Sequence, residues 1–478
     1  MADPAPASPA PLPSPTDPIR LPRRRFTAVD ATGVQVLATA GLARLIVDHL
    51  TPVMTFPDSL RFQTAVSGLR RGMGFALLGD WTAPLPVLVW GLLPYGAHRL
   101  WPRIVLQHVL GLLAVAAIYA ACRALHGARA AAVVALGFAL SPYVLFVERS
   151  FLGEAIHLCT VAVALCAFVA TAESARPLRV APLLGIALGI VCLAKGTGVV
   201  LAIGLIGAIV VPDGGPGRPT ARVRIARAAL TAAFCLATVV PWLARQHATW
   251  GKAAVVPNVA RTRLLFALEA GLFDARSDLP PSEALAAASP GAFVGGRRVL
   301  PPMRIVGDLI DRTGPGAPSE SHASAIVNAE IARKPLAYVR AVADSLVFLV
   351  LDVGSGHDEV AALLDARWGH GRVPEDWVLP RMREEPGSEV AMRALARLND
   401  FTFPLLRLLP LLALAGTVAG FARGGSDRTW AMRFAIPVVL LPAALAAGLA
   451  NNFRFLIPFL PLFALAATGL FPLRRDAE

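Results

Sequence analysis

The stretch RRRFTAVDATGVQVLATAGLARLIVDHL, Arg23–Leu50, decides the fold class of this chain of 478 residues. Three arginines precede an apolar segment over about residues 31–50, which is long enough to cross a bilayer as one helix. Because positive charge collects on the cytoplasmic side of membrane helices, we predict a cytoplasmic N-terminus. The apolar run continues past its alanine-rich part, which predicts an anchor that is not cleaved. The residues after Leu50 then emerge on the external side.

Similar apolar runs recur along the chain, which is 55% hydrophobic and only 16% charged. This composition predicts an all-α polytopic membrane protein. A further segment, residues 83–97, is broken by prolines and is predicted to lie at the interface. The ten predicted spans cover approximately residues 31–50, 103–124, 129–147, 152–171, 180–195, 197–211, 226–246, 402–421, 431–449 and 453–472.

The formal charge of +13 comes almost entirely from arginines that flank the apolar runs. Positive-inside anchoring explains this excess, and no nucleic-acid motif accompanies it, so we exclude nucleic acid as a partner. No His or Cys pair has the spacing of metal ligands, so neither a metal site nor a cofactor is predicted. The five cysteines all fall inside apolar runs, as small buried residues do: Cys122, Cys159, Cys166, Cys192 and Cys235.

Arginine-rich loops also predict the topology. Residues 212–227 and 423–433 are expected inside, so both ends of the stretch 247–400 are external. That stretch holds 19 acidic and 17 basic residues, a net charge of −2, as suits an aqueous region. The predicted parts are a disordered cytoplasmic tail (1–25), a transmembrane module with external loop 51–101 (26–246), an external region with an amphipathic helix near 338–353 (247–400) and C-terminal transmembrane helices (401–478).

This topology brings ionisable residues from distant parts of the chain to one membrane face. They are Asp58, Glu148, Arg149, Glu154, Lys195, Arg245 and Arg454. Ordinary structural roles remain open for several of them: Asp58 as a solvated loop residue, Arg245 as an interfacial anchor, and Arg149 with Glu154 as an ion pair. Lys195 joins two short spans, and an ionisable group at such depth indicates function.

Carboxylates and cations at the mouth of a membrane bundle suit one chemistry well. A carboxylate can deprotonate an acceptor hydroxyl. Cations can hold a lipid phosphate and stabilise it as it leaves. The apolar groove between helices can take the lipid tail. The pattern therefore indicates group transfer from a phosphorylated lipid.

The order of these motifs resembles the GT-C superfamily of polyprenyl-phosphate-sugar glycosyltransferases, of the protein O-mannosyltransferase and lipid A aminoarabinose transferase type. An acid after the first helix matches Asp58, although Ser59 stands where many members carry a second acid. An arginine followed five residues later by an acid matches Arg149 and Glu154. The resemblance covers about residues 27–250 and 400–475.

Further motifs of the same family lie at helix ends. Thr82-Ala83-Pro84-Leu85-Pro86 is similar to its proline-rich stretch, and Lys195-Gly196 to its Lys-Gly. Pro241-Trp242-Leu243-Ala244-Arg245 resembles the exit from its seventh helix. Asn452-Phe453-Arg454-Phe455-Leu456-Ile457-Pro458 resembles its Arg-Tyr-x-x-Pro, with phenylalanine in place of tyrosine.

The resemblance implies inverting transfer of a monosaccharide from a polyprenyl-phosphate donor to a lipid, glycan or protein acceptor. It implies Asp58 as general base, and Arg149, Lys195 and Arg454, with Arg245, as cations for the donor phosphate. Glu154 would orient Arg149 or the sugar. Arginine bias and abundant alanine are typical of GC-rich bacterial genomes, so we expect an integral protein of the bacterial inner membrane with its site facing the periplasm. Two alternatives stay open: a transporter or flippase of an envelope precursor, and a non-catalytic envelope-assembly protein.

Overall fold

A computed structural model describes most of the membrane module and part of the predicted external region. The described residues are 30–50, 57–75, 78, 82–93, 101–174, 176–212, 219–256, 258–269, 272, 293–294, 297–298, 302–351, 408–449 and 457–472. The predicted tail 1–25 and Arg454 lie outside these ranges. So does the side chain of Asp58, although its backbone is described.

Helices make up nearly all of the described chain. Those of the first half are α1 (Ala31–Leu50), α2 (Pro57–Gly68, extended by a π-helical turn Leu69–Met73), α3 (Pro84–Gly91), α4 (Trp101–His126), α5 (Ala128–Ala139), α6 (Pro142–Arg149), α7 (Glu154–Ala172), α8 (Pro177–Ala194), α9 (Gly198–Val210) and α10 (Ala221–Trp250).

Those of the second half are α11 (Val259–Glu269), α12 (Pro302–Thr313), α13 (Ala317–Arg333), α14 (Pro335–Leu351), α15 (Leu408–Arg423), α16 (Gly425–Ala444, extended by a π-helical turn Leu445–Leu449) and α17 (Leu460–Ala467, between 3₁₀ turns Ile457–Phe459 and Thr468–Leu470). A two-residue antiparallel hairpin pairs β1 (Phe293–Val294) with β2 (Arg297–Arg298).

The predicted all-α polytopic fold is confirmed, and each of the ten predicted spans contains a helix. Within the described residues, six helices are long and apolar enough to cross a membrane, or seven when α5 and α6 count as one bent span. Three further predicted spans correspond to the shorter apolar helices Gly198–Val210, Leu408–Arg423 and Leu460–Leu470.

The break between α5 and α6 has a local cause. Pro142 occupies the first turn of α6, and the Ser141 hydroxyl accepts a hydrogen bond from the Val144 N–H at 3.4 Å. A capping serine followed by proline starts a new helix, because proline cannot continue the preceding hydrogen-bond ladder. The two helices meet at 50°. This bend directs the end of α6 into the bundle.

Small residues let α8 and α10 approach closely. A Cβ atom added at Gly185 would lie 2.5 Å from the Thr231 carbonyl oxygen, and one added at Gly189 would lie 2.5 Å from the Thr238 Cβ. Glycine at a helix contact removes the side chain that would hold two backbones apart, as is common in membranes. The pair therefore packs backbone against backbone and holds the α8–α9 junction in place.

The two ends of the bundle carry different polar groups. At one end, which we call the opposite end, Asp30 caps α1 through the Gly33 N–H at 2.8 Å and accepts from the Tyr119 hydroxyl at 2.6 Å. These two bonds, the tyrosine first, hold the pKa of Asp30 below its ordinary value. Arg123 Nε lies 3.2 Å from the same carboxylate. At the other end, the site end, α1 and α6 finish and α4 and α7 begin.

A second, smaller core forms where α11, α12 and α13 pack together, with Leu264, Ile305 and Val327 at its centre. Glu320 of α13 is buried there and accepts hydrogen bonds from the Ala260 N–H at 2.5 Å and the Arg261 N–H at 3.2 Å. A carboxylate at the first turn of α11 satisfies N–H groups that have no partner within the helix. This contact links α13 to α11.

Helix α14, which contains most of the predicted amphipathic segment, lies against the turn after α16. The Tyr338 hydroxyl donates to the Ala447 carbonyl at 2.9 Å. Apolar side chains at Leu336, Val339 and Val347 are exposed along α14. An exposed apolar face suits a helix that lies on a membrane surface. Two statements stay predictions: that α14 does not cross the membrane, and that the opposite end of the bundle is cytoplasmic.

Candidate functional site

A buried acid, Glu148, organises the site end. Its Oε1 atom lies 2.5 Å from Arg44 Nη2, and its Oε2 atom lies 2.8 Å from His108 Nδ1. Glu148 is 1% exposed and Arg44 is 2% exposed. Buried charges persist in proteins when they are paired and hydrogen-bonded. Three helices, α1, α4 and α6, are therefore joined by one carboxylate.

The last turn of α6 is anchored by an amide of α4. Gln107 Nε2 donates to the carbonyl oxygens of Glu148 at 3.1 Å and Ser150 at 3.0 Å. The final carbonyls of a helix have no partner within it, so such a donor satisfies them. On the same face of α4, Gly111 has no side chain where the Glu148 carboxylate lies, and a Cβ atom there would collide with Oε1. Gly111 therefore makes room for the acid.

Two further ion pairs flank Glu148, and their partners differ from those expected. Arg149 is paired with Asp48 of α1, and Lys195 Nζ lies 3.2 Å from Glu154 Oε1. That Glu154 orients Arg149 or the sugar stays a prediction. The two observed pairs follow from helix orientation, since the end of α6 faces α1, whereas the start of α7 faces the α8–α9 junction.

Lys195 owes its position to a break in the chain. Its backbone is extended, with φ −161° and ψ 142°, and α8 ends one residue earlier. Helix α9 starts at Gly198, so the lysine stands on a three-residue connection between two apolar helices. Its side chain is 20% exposed, more than that of Glu154 at 5%. Lys195 is thus the accessible member of its pair.

Arg245, near the end of α10, lies against aromatic rings. Its guanidinium carbon is 4.8 Å from the centre of the Trp242 ring and 5.7 Å from that of Phe75, and Nη2 donates to the Phe75 carbonyl at 2.7 Å. Within the described residues, its buried Nη1 atom has no hydrogen-bond partner. Cation–π contacts stabilise such a side chain without neutralising it. Arg245 therefore keeps a donor for an anion.

Of the predicted base Asp58, the structure describes the backbone only. Asp58 is the second residue of α2, and the next residue, Ser59, donates from its hydroxyl to the Phe151 carbonyl at 2.7 Å. The start of α2 is therefore tied to the segment between α6 and α7. Arg454 lies outside the described residues. The turn that follows it packs on α7, where the rings of Phe459 and His157 meet edge to face at 5.2 Å.

The sequence prediction missed three residues of this network, Arg44, Asp48 and His108. A signal was present, since Arg44 and Asp48 are four residues apart and ionisable inside a predicted span, where such groups indicate function. The average hydropathy of the span concealed them. Among the described residues, no three His, Cys, Asp or Glu side chains are grouped so that they could hold a metal ion.

Comparison with known proteins agrees with the predicted resemblance. Residues 86–244 match the family described as dolichyl-phosphate-mannose-protein mannosyltransferase. This range runs from α3 into α10 and contains Glu148, Arg149, Glu154 and Lys195. It confirms the resemblance to the GT-C superfamily of membrane glycosyltransferases. No curated protein sequence matches the chain significantly.

Among solved structures, matches of low sequence identity and low TM-score include three membrane transferase structures from two organisms. The oligosaccharyltransferase AglB from Archaeoglobus fulgidus, in complex with an inhibitory peptide and a dolichol-phosphate, is 13% identical with a TM-score of 0.45, over 91% of this chain and 49% of that one. An oligosaccharyltransferase of Archaeoglobus fulgidus in the apo form is 14% identical with a TM-score of 0.46, over 91% of this chain and 50% of that one. ArnT from Cupriavidus metallidurans, bound to undecaprenyl phosphate, is 14% identical with a TM-score of 0.38, over 92% of this chain and 78% of that one. The chain thus spans about half the length of AglB.

Proposed function

We propose that this protein is a membrane glycosyltransferase of the GT-C type. It transfers a monosaccharide from a polyprenyl-phosphate donor to an acceptor hydroxyl, with inversion at the anomeric carbon. The observation that carries the proposal is the gathering of acids and cations from α1, α6, α7 and the α8–α9 junction at one end of an apolar bundle. Such a site can hold a charged head group while the isoprenoid chain stays in the lipid.

Asp58 is the proposed general base. In this step its carboxylate takes the proton of the acceptor hydroxyl as that oxygen bonds to the anomeric carbon. The bond from the anomeric carbon to the phosphate oxygen breaks on the opposite face, so the configuration inverts and polyprenyl phosphate leaves. The hydrogen bond from Ser59 to Phe151 supports this role, because it ties the start of α2 to the segment that carries Arg149 and Glu154.

The proposed phosphate ligands are Lys195, Arg149, Arg245 and Arg454. For Lys195, partial exposure lets an incoming phosphate share the ammonium with Glu154, which then keeps the lysine aligned. For Arg245, the partner-free Nη1 atom supports a direct bond to a phosphate oxygen. Arg149 is buried and paired with Asp48, so we assign it the smallest contribution: it would bind the phosphate only through guanidinium N–H groups that Asp48 leaves unused.

The acceptor and its side of the membrane form the second part of the proposal. The arginine-rich loops 212–227 and 423–433 support an external, periplasmic site in a bacterial inner membrane. The region that includes α11–α14 follows directly on the Arg245 end of α10, and we assign acceptor selection to it. The acceptor would be a lipid, glycan or protein hydroxyl.

The test is sugar transfer by purified full-length protein in proteoliposomes, with labelled polyprenyl-phosphate monosaccharides as donors and envelope extract as acceptor. Transfer by the wild type and a loss of at least about 100-fold in Asp58→Asn are expected, because a general base contributes about 10²- to 10⁴-fold. Asp30→Asn, an identical change at the opposite end of the bundle, is the matched control and should retain transfer. Donor movement across the bilayer without a new glycosidic bond would instead identify a flippase.

A further inference from the structure

One buried guanidinium at the site end differs from all those described above. Arg103, the third residue of α4, is 1% exposed. Within the part of the chain that the structure describes, neither of its terminal nitrogens has a hydrogen-bond partner. By contrast, Arg44 and Arg149 each face a carboxylate. A buried charge without a partner is unfavourable, so Arg103 is a candidate for binding an anion from outside the chain.

A second cation reinforces this positive site. Arg70, on the π-helical turn after α2, follows Leu69, whose side chain packs against Gly91, the residue after the Trp90 that contacts the Phe151 ring. The Nε atom of Arg70 is also buried without a partner in the described chain. No described ion pair includes either arginine. An anion bound at Arg103 would supply the counter-charge that the described chain does not provide, with Arg70 as a second cation on the same side of the site end.

The surroundings connect this pair with the proposed base. The Arg103 guanidinium carbon lies 4.9 Å from the centre of the Phe151 ring. The carbonyl of the same Phe151 accepts the Ser59 hydroxyl, and Ser59 follows Asp58 in the chain. The Trp90 ring also packs against Phe151, with 4.5 Å between the ring centres. Arg103 is therefore one side chain away from the segment that carries the base.

We propose that Arg103, together with Arg70, binds the phosphate group of the lipid donor. The assignment of the donor rests on the proposed function, whereas the anion site rests on burial and charge. A guanidinium offers two parallel N–H donors that match the oxygens of a phosphate, and two guanidiniums suit a group with several charged oxygens. Phosphate on a lipid and free phosphate share this chemistry, so the experiment separates the two sources.

The binding test uses full-length protein in nanodiscs and three probes: undecaprenyl phosphate, undecaprenol and inorganic phosphate. Arg103→Gln should weaken undecaprenyl phosphate binding about 10- to 100-fold, the loss expected for one charge-assisted hydrogen bond. Undecaprenol binding should not change. Arg433→Gln is the matched control, because Arg433 is also buried and lies 5.0 Å from an aromatic ring, that of Trp430, away from the site end. Arg70→Gln, a partly exposed position, replaces Arg103→Gln if that variant fails to fold.

The outcomes separate the possibilities. Unchanged affinity in both variants, or an equal loss for undecaprenol, would overturn the phosphate site. Inorganic phosphate that binds in an Arg103-dependent manner and displaces no lipid would overturn the lipid source. Wild-type sugar transfer with an unchanged donor KM in Arg103→Gln would refute this inference and leave the proposed function standing. Arg103-dependent lipid binding by a protein that transfers no sugar would refute the function and leave the phosphate site standing.

Discussion

Glu148→Gln tests whether the buried network at the site end holds the helices together. Glutamine keeps the shape of the side chain but removes its charge, so the Arg44 guanidinium, 2.5 Å away and 2% exposed, loses its counterion. Removing one partner of a buried ion pair costs about 3–5 kcal/mol. His108 at 2.8 Å also loses a charged acceptor. We therefore expect a loss of about 3–5 kcal/mol in the free energy of unfolding.

The assay is reversible unfolding of the purified protein in mixed micelles by titration with a denaturing detergent. Arg44→Met in the Glu148→Gln background removes the stranded charge and should recover most of the loss, because replacing both charges of a buried pair is often close to neutral. Glu173→Gln at the exposed end of α7 is the control, with a change within about 0.5 kcal/mol. A Glu148→Gln protein as stable as the control, or a double variant less stable than the single one, would refute the reasoning.

Three further changes have defined outcomes. Gly111→Ala places a Cβ atom in the space of the Glu148 carboxylate. It should lower the free energy of unfolding by about 1–3 kcal/mol in the same detergent titration. Unchanged stability would contradict the close packing of Gly111 on Glu148. Lys195→Ala should reduce donor use about 10- to 100-fold in transfer kinetics, and Lys195→Arg should not restore it fully, because a planar fork does not replace a compact ammonium. In a cysteine-free background, Glu375→Cys should react with an impermeant thiol reagent applied from outside and Arg428→Cys should not; the reverse pattern would invert the predicted topology.

Much of the architecture could be predicted from the sequence because bilayer physics acts on local composition. An apolar run of membrane length must form a helix, since its backbone groups find no water. Arginines at the ends of these runs predict the orientation of each span in the membrane. Counting the crossings along the chain then predicts that Asp58, Glu154 and Lys195 lie on the same membrane face. The order of the same residues carries the family resemblance, which the match to residues 86–244 confirms.

Helix bends and helix partners were beyond this kind of reasoning. Hydropathy predicted one continuous span at residues 129–147, whereas Ser141 and Pro142 inside it produce two helices that meet at 50°. Arg149 pairs with Asp48, about a hundred residues away, because α6 turns its last residues toward α1. Rotation of a helix about its axis decides such a pair, and spacing along the chain does not report that rotation.

Composition and order of the sequence by themselves determined that this protein is a polytopic helical membrane protein with ionisable groups collected at one end of its bundle. Tertiary structure alone decided which of those charges are neutralised. Arg44 and Arg149 face acids from other helices, whereas Arg103 lies on the Phe151 ring with both terminal nitrogens free of partners in the described chain. The physical reason is that apolar length and end charge are local properties, whereas the pairing of a buried charge depends on which helix faces it.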